Sequence, residues 1–228
     1  MERERHPIKR DAGDPAVPSW ASVGAQPSDS TCHQFTECVL YGTILSQNRD
    51  SMLQRLRGLC DPGVKHFNEH NMCFKLRTGL DSPVQIHMRR RMNMHDSCHW
   101  QCRYVGIPEV DAKSPVIVRK TIDSTIYSTN MMEFVKTLGL RMEYEFVVQG
   151  YMFTKKHLRI AIYRVEVTES VGVYQNLKPL SDSHVIEANI MVPDGQSHEQ
   201  AAKQLREFCD QFMPLCEMRK VDYMRELA

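Results

Sequence analysis

The 228-residue sequence has no long hydrophobic run and almost no excess of charge of either sign. No apolar segment approaches the ~20 residues that a membrane-spanning helix requires. The first residues carry no hydrophobic stretch of the kind found in a secretory signal. Lysine and arginine number 29 against 28 aspartate and glutamate, giving a net charge of +1. The sequence therefore predicts neither a membrane partner nor direct binding of nucleic acid through long-range charge.

The signatures of common enzymes are also missing. The sequence contains no G-x-S-x-G elbow, no glycine-rich phosphate loop and no dinucleotide fingerprint. Its eight cysteines are scattered through a chain long enough to form a core without disulfides, so they are expected to be reduced thiols inside the cell. We predict no catalytic residue, no cofactor and no bound metal.

The composition divides the chain into two parts. Residues 1–31 hold four of the eleven prolines and only scattered apolar side chains. Such a segment buries too little surface to offset its ordering entropy, so we predict a disordered N-terminal tail. Residues 32–228 are predicted to form one domain.

Alternation of apolar and polar residues dominates that domain. Met72, Phe74 and Leu76 share one side of a predicted strand, and residues 84–92 repeat the pattern after a turn at residues 79–83. These two segments predict a hairpin. A tight turn at residues 155–157 predicts a second one. The remaining strands are predicted at residues 38–44, 99–106, 115–127, 142–155, 158–168 and 184–192.

Three helices are predicted between the strands, at residues 51–60, 131–138 and from 197 to Pro214. Asn130 with Glu133, and Ser197 with Gln200, have the spacing of capping boxes. The second helix carries an apolar stripe of Met131, Phe134, Val135 and Leu138. This pattern favours a mainly β (α+β) fold, with a single antiparallel, roughly eight-stranded β-barrel and about three flanking helices.

The strongest enzymatic hint is the pair Glu143 and Glu145. Residues two apart on a strand lie on one face about 7 Å from each other, and two such carboxylates can hold a divalent ion. If arginines line the lumen of the barrel, they could hold a polyphosphate beside that ion. The alternative function is therefore a metal-dependent triphosphate hydrolase of the tunnel-barrel type. Val147 stands where those enzymes have lysine, so we favour carboxylates paired with cross-strand Lys or Arg. The candidate lumen arginines are Arg89, Arg91, Arg103 and Arg119.

A second cluster contains zinc-competent side chains, namely His95, Cys98, His99 and Cys102. A closed zinc site normally draws its ligand pairs from two separated segments. We therefore favour polar turn residues for the histidines and a small core residue at Cys102, with a zinc-bound RNA-binding module as a further alternative.

The basic run at residues 87–91 divides its charges between two strand faces, which favours an exposed polar face.

Five segments resemble one known family, subunit 18 of the Mediator complex. They follow the family's order and extend over roughly residues 38–222. The segments are residues 55–61, 70–74, 103–109, 139–153 and 179–196.

The resemblance implies a barrel related in shape to the triphosphate tunnel enzymes but without their catalytic residues. It further implies a nuclear, non-catalytic subunit of the Mediator head module that pairs with Mediator subunit 20 and docks through a helix of subunit 8. Other head-module subunits, and RNA polymerase II indirectly, are the further partners it implies. It assigns no individual partner-binding residue.

Overall fold

The computed structural model describes residues 32–76, 84–92, 99–111, 113–170 and 172–221. Nine strands and three α-helices lie in these ranges. The predicted tail at residues 1–31 and the predicted turn at 79–83 lie outside them. In chain order the elements are β1 Cys32–Leu45, α1 Arg49–Leu59, β2 Lys65–Leu76, β3 Val84–Arg91, β4 His99–Val105, β5 Ile117–Tyr127, α2 Met131–Thr137, β6 Arg141–Lys155, β7 Leu158–Val167, β8 Lys178–Pro179, β9 Ser183–Pro193 and α3 Glu199–Asp210.

The strands form one closed antiparallel sheet. Their order is β6-β2-β3-β4-β5-β1-β9-β7-β8, and pairing of β6 with β7 closes eight of them into a barrel. The short β8 extends the sheet beside the end of β7. Closure leaves few unpaired strand edges, which lowers the risk of edge-to-edge aggregation. The predicted eight-stranded barrel and the predicted hairpin of β2 and β3 are confirmed.

The largest apolar cluster lies outside the barrel, beneath α1 and α3. Leu40 of β1 and Ile160 of β7 pack there against Leu56 of α1 and Leu205 of α3. The helices cover this side of the sheet because alternate residues of β1, β7 and β9 are apolar on that face. The residues between them point into the lumen, so both faces of these strands are buried.

Helix α2 covers a second outer surface, above β2, β3 and β4. Met131 and Val135 are buried there in one cluster with Trp100. The expected apolar stripe is only half buried, because Phe134 and Leu138 remain 53% and 52% exposed. The seven-residue helix meets the sheet along one narrow row, and residues 134 and 138 lie beside that row.

The predicted capping boxes are wrong at both helices. Asn130 precedes α2 but makes no side-chain capping hydrogen bond. Helix α3 begins after His198 rather than Ser197, and His198 makes no such bond either. These two helices are stabilised by packing of their apolar faces rather than by side-chain caps, and Leu205 of α3 is fully buried.

The hairpin of β6 and β7 has the tight turn that the sequence predicts, with two residues between the paired strand ends. Lys155 pairs with Leu158, and Lys156 takes a left-handed φ of 53° to make the turn. In the same hairpin Gly150 faces Tyr163, and a Cβ at Gly150 would lie 2.2 Å from the carbonyl oxygen of Ile162. Only glycine permits this close approach of the two strands.

Candidate functional site in the barrel lumen

The lumen contains a cavity of about 110 Å³ that residues of all eight barrel strands line. Its lining includes both apolar and charged side chains. Phe67, Phe146, Val148 and Met152 are among the apolar ones. The polar side chains include Asn71, His87, Arg89, Arg103, Arg119, Tyr163 and Glu187.

Glu37 is the centre of a buried ion network that borders this cavity. It is fully buried on β1, and Arg119 Nε donates to its Oε2 at 2.7 Å. Arg119 also donates to the hydroxyl of Tyr41 at 2.9 Å. Arg103 Nη1 lies 3.5 Å from Glu37, and Arg103 makes a bidentate pair with Asp123 at 2.6 and 2.7 Å. A planar guanidinium suits such forked contacts, which fix the registers of β1, β4 and β5.

The electrostatics of the network follow from these contacts. Burial opposes ionisation of Glu37, but the charges of Arg119 and Arg103 outweigh it and hold the pKa of Glu37 below its ordinary value. Burial likewise opposes the charge on Arg103, yet Asp123 and Glu37 raise the pKa of Arg103 above its ordinary value. Both partners are therefore charged at neutral pH.

Glu187, on β9, has a different environment. Its carboxylate accepts hydrogen bonds from Tyr163 at 3.3 Å and from Asn189 at 3.2 Å. Asn189 also donates to Glu37, so one amide joins the two carboxylates. Burial, and then the negative charge of Glu37, raise the pKa of Glu187 above its ordinary value.

The formal charges in the lumen cancel. Its arginines are Arg89, Arg103 and Arg119, with Arg159 on the face of β7 that carries Tyr163. Its acidic residues are Glu37, Glu69, Asp123 and Glu187. A triphosphate carries several negative charges, and the described lumen offers no surplus of positive charge to compensate for them.

The structure contradicts the hydrolase alternative at Glu143 and Glu145. Neither carboxylate lines the cavity. The register of the two strands shifts here, because Cys73 pairs with Tyr144 and Phe74 with Met142, which leaves Glu143 as an extra residue in β6. Glu143 pairs with Lys75 at 2.6 Å, as cross-strand pairing predicts, whereas Glu145 binds His70 on the other face of β2. The two carboxylates therefore diverge and do not hold one ion.

Glu145 instead anchors a segment of the chain to the outside of the barrel. Its carboxylate accepts hydrogen bonds from His70 at 2.8 Å, from the Tyr174 hydroxyl at 2.9 Å and from the backbone N–H of Gly172 at 2.9 Å. Burial opposes its ionisation, but these donors hold the pKa of Glu145 below its ordinary value. Burial, followed by the contact with Glu145, raises the pKa of Tyr174 to about 12.

Only two of the four zinc-competent residues, His99 and Cys102, lie within the described residues. His95 and Cys98 lie outside them. His99 is exposed and packs edge-to-face on Tyr127, while Cys102 is half-buried against the cluster around Trp100, as the strand pattern predicts. No group of three or more potential metal ligands occurs among the described residues.

The basic run at residues 87–91 is not simply an exposed face. His87 and Arg89 line the cavity, so that expectation is wrong for them. Arg90 points the other way and lies over the ring of Trp100, 5.1 Å from its centroid. Arg91 is exposed and is not a lumen residue, whereas Arg103 and Arg119 are, as the sequence suggested.

The patterns in the sequence do not predict the acidic half of the network, which consists of Glu37, Asp123 and Glu187. A signal is present in hindsight, since Arg119 and Asp123 lie four residues apart and therefore on the same face of strand β5. Their pairing partners come from other strands, and those registers are not visible in the sequence.

The six cysteines that can be assessed are free thiols. Burial raises the pKa of Cys38 and of Cys209 to about 12, so these thiols are unreactive.

Within the described ranges, no helix is long and apolar enough to cross a bilayer.

The fold is thus a closed antiparallel β-barrel with a central lumen. Because Glu143 and Glu145 bind different partners, its described residues do not assemble a catalytic metal site. The chain belongs to the family described as Med18 protein, whose model matches residues 36–225. It is 43% identical over 205 residues to Mediator of RNA polymerase II transcription subunit 18 from Caenorhabditis elegans, with 87% of this chain and 88% of the relative covered.

Two further comparisons agree. The protein of the same name from Xenopus tropicalis is 34% identical over 205 residues, covering 89% of this chain and 97% of the relative. A chain in the Schizosaccharomyces pombe Mediator head module matches with a TM-score of 0.65 at 16% identity, covering 82% of this chain and 98% of that one. The last match supports the fold, and the resemblance seen in the sequence is confirmed.

Proposed function

We propose that this chain is a non-catalytic subunit of the Mediator head module, acting in the nucleus to help couple regulators to RNA polymerase II. The family match over residues 36–225 carries the proposal, because it extends over almost the whole barrel. The relatives are named as Mediator subunits and none of the names describes an enzyme.

The geometry of the lumen supports a role in assembly. Glu37, Arg119, Arg103 and Asp123 satisfy one another, and Glu143 and Glu145 do not converge. In this proposal the outer surface of the barrel, rather than its lumen, binds the partner proteins. It is rigid because strands and helices hold it, and rigid surfaces bind partners at a lower entropic cost.

The partners in this proposal are Mediator subunit 20, which forms a heterodimer with the barrel, and a helix of subunit 8. Apolar side chains exposed on the outer surface, among them Phe134, Leu138 and Ile107, are of the kind that protein interfaces bury. A near-neutral net charge suits a protein that assembles among other proteins.

Coexpression tests the heterodimer directly. The full chain and subunit 20 are expected to elute together from a sizing column, and addition of the subunit 8 helix is expected to give a ternary peak. Affinity purification from nuclear extract is expected to recover head-module subunits. Separate elution of the two chains, together with purification of this chain alone, would reject the proposal.

The absence of hydrolase activity is tested on the same preparation. Incubation with Mn²⁺ or Mg²⁺ and a nucleoside triphosphate is expected to release no phosphate above a buffer control. The matched variant is Glu143→Ala with Glu145→Ala. Turnover that this double substitution abolishes would contradict the proposal.

A further inference from the structure

Four basic side chains lie at one end of the barrel, around the turn between β6 and β7. Lys155 and Lys156 belong to this turn. Lys65 begins β2 at the same end, where it pairs with Met152 of β6, and Arg57 lies in the last turn of α1. Arg57, Lys65 and Lys156 are exposed, and Lys155 is partly exposed. Together these four residues form a basic patch on the outer surface.

Asp61 joins the connection between α1 and β2 to this turn. Its backbone N–H donates to the carbonyl oxygen of Thr154 at 2.8 Å, and its carboxylate accepts the backbone N–H of Lys156 at 2.8 Å. Lys156 has a left-handed φ of 53°, which is uncommon for a residue other than glycine. Because these contacts fix the backbone of the patch, little backbone freedom is left to be lost when a partner binds there.

The patch carries an excess of positive charge. Asp61 forms an ion pair with it, at 3.7 Å from the Nζ of Lys155, and the same carboxylate already accepts the N–H of Lys156. Within the described ranges, the side chains of Arg57, Lys65 and Lys156 make no ion pair. The net charge of the whole chain is only +1, so this excess is a local feature.

Apolar and aromatic groups lie beside the cations. Val64 precedes Lys65 and is 37% exposed. The next residue, His66, is exposed and contacts Tyr151 of β6, with the two ring centroids 4.0 Å apart. Protein interfaces combine apolar and aromatic contacts with a polar rim, and this end of the barrel presents both kinds of group.

Positive charge attracts either an acidic segment of a protein or a nucleic acid, and the structure favours the protein. Nucleic acids are bound by basic groups that follow a groove or a stripe of phosphates, whereas the basic patch occupies one turn and the loop against it. A net charge of +1 supplies no long-range attraction for a polyanion. Exposed Val64 suits an apolar side chain, which a phosphate backbone lacks.

We propose that the basic patch is a docking site for an acidic segment of a partner protein, in which glutamate or aspartate is interspersed with apolar residues. The carboxylates of the segment pair with Lys65, Lys155 and Lys156, and an apolar side chain packs on Val64. The inference rests on the proposed function, in which the outer surface binds proteins, and it adds the chemical class of one partner segment. Such complementary charge speeds association and is weakened by salt.

The test is fluorescence anisotropy with the full chain and labelled probes. The first probe is a synthetic peptide in which pairs of glutamates alternate with single leucines. The second is the same peptide with glutamine in place of glutamate, and the third is an oligothymidylate of equal charge. The acidic peptide is expected to bind saturably, at least about tenfold more tightly than either other probe, and less tightly as the salt concentration rises.

Substitutions then locate the binding site. Lys155→Gln with Lys156→Gln is expected to weaken binding of the acidic peptide by about fivefold or more, because it removes two cations from the patch. The matched control, Lys136→Gln with Lys203→Gln, removes the same charge from exposed positions on α2 and α3 and is expected to leave binding unchanged.

Asp61→Asn gives a change of opposite sign. Asparagine still accepts the N–H of Lys156 but carries no charge, so this variant is expected to bind the acidic peptide about twofold more tightly or better. If the double lysine variant does not fold, Asp61→Asn and the three probes on the unaltered chain still decide the question.

Three results would overturn the proposal. Equal binding of the glutamine peptide would show that charge is not recognised. Oligothymidylate binding as tightly as the acidic peptide would indicate a nucleic-acid site instead. Equal weakening in the control variant would show a general attraction to the chain. Coelution with subunit 20 is a separate measurement, so a heterodimer that forms without any peptide binding rejects this inference alone.

Discussion

His70 donates a hydrogen bond of 2.8 Å to Glu145, and both side chains are almost fully buried, at 1% and 6% exposure, on the outside of the barrel. The same carboxylate holds Gly172 and Tyr174, so it fastens residues 172–174 to strands β2 and β6. A residue that the sequence suggested as a metal ligand therefore has a structural task.

Replacing Glu145 with alanine is expected to lower the free energy of unfolding by about 2–3 kcal/mol, because three donors lose a charged acceptor. The matched control is Glu143→Ala, which removes a partly exposed pair with Lys75 and is expected to cost about 0–1 kcal/mol. Urea denaturation followed by circular dichroism measures both. Equal losses in the two variants would contradict the role assigned to Glu145.

The stability of the chain is expected to fall as the pH decreases from about 7 through the unfolded histidine pKa of about 6.5. Burial lowers the pKa of His70 and of His184 in the folded state. The unfolded chain then binds protons that the folded chain excludes, so acid favours unfolding until the folded pKa values are reached.

Urea midpoints measured across this pH range test the prediction. His70→Gln is expected to reduce the slope of stability against pH, since glutamine does not titrate. His99→Gln, at an exposed position, is the control and is expected to leave the slope unchanged. A His70→Gln variant with the full slope would show that other groups cause it.

Substitution of Glu37 is expected to be among the most damaging single changes in the lumen. Glu37→Leu leaves Arg119 and Arg103 without their shared carboxylate and is expected to cost about 3–5 kcal/mol. The double variant Glu37→Leu with Arg119→Met is expected to lose less than the sum of the two single variants. Chemical denaturation of all four proteins gives the coupling energy, and strict additivity would show that the pair is not coupled.

Two glycines are expected to respond in opposite directions to alanine. Gly150→Ala forces a Cβ against the backbone of Ile162 and is expected to cost more than about 2 kcal/mol. Gly58 lies within α1 with open space around it, and Gly58→Ala is expected to stabilise by about 0.4–1 kcal/mol. Melting temperatures of the two variants should therefore lie on opposite sides of the unaltered chain.

Local patterns in the sequence predict the strands and the pairing of two hairpins well. Alternation at Met72 and Phe74 places one face of β2 in a core, and both residues are buried there. The turn at residues 155–157 is local and is also confirmed. Such features depend on neighbours in the chain, which a single sequence displays.

The site depends on contacts between distant strands, and the sequence does not display those. In β1, Leu40 packs beneath the helices while its neighbour Tyr41 lines the lumen, and both are apolar enough to fit either face. The apolar stripe of α2 predicts burial of Phe134, which the short helix does not achieve. Periodicity identifies an apolar face, but it does not say how much of that face the chain itself covers.

Strand β1 lies between β5 and β9, and its residue Phe35 is paired with Pro193. During translation the ribosome completes β1 long before its second neighbour exists. Because the ring closes only once β9 has emerged, nascent chains that stop earlier keep the apolar surface of β1 unpaired and are targets for chaperones. The barrel can therefore close, and its outer surface can form, only after residue 193 has been translated. Chains that end earlier lack this surface and are not expected to bind partners.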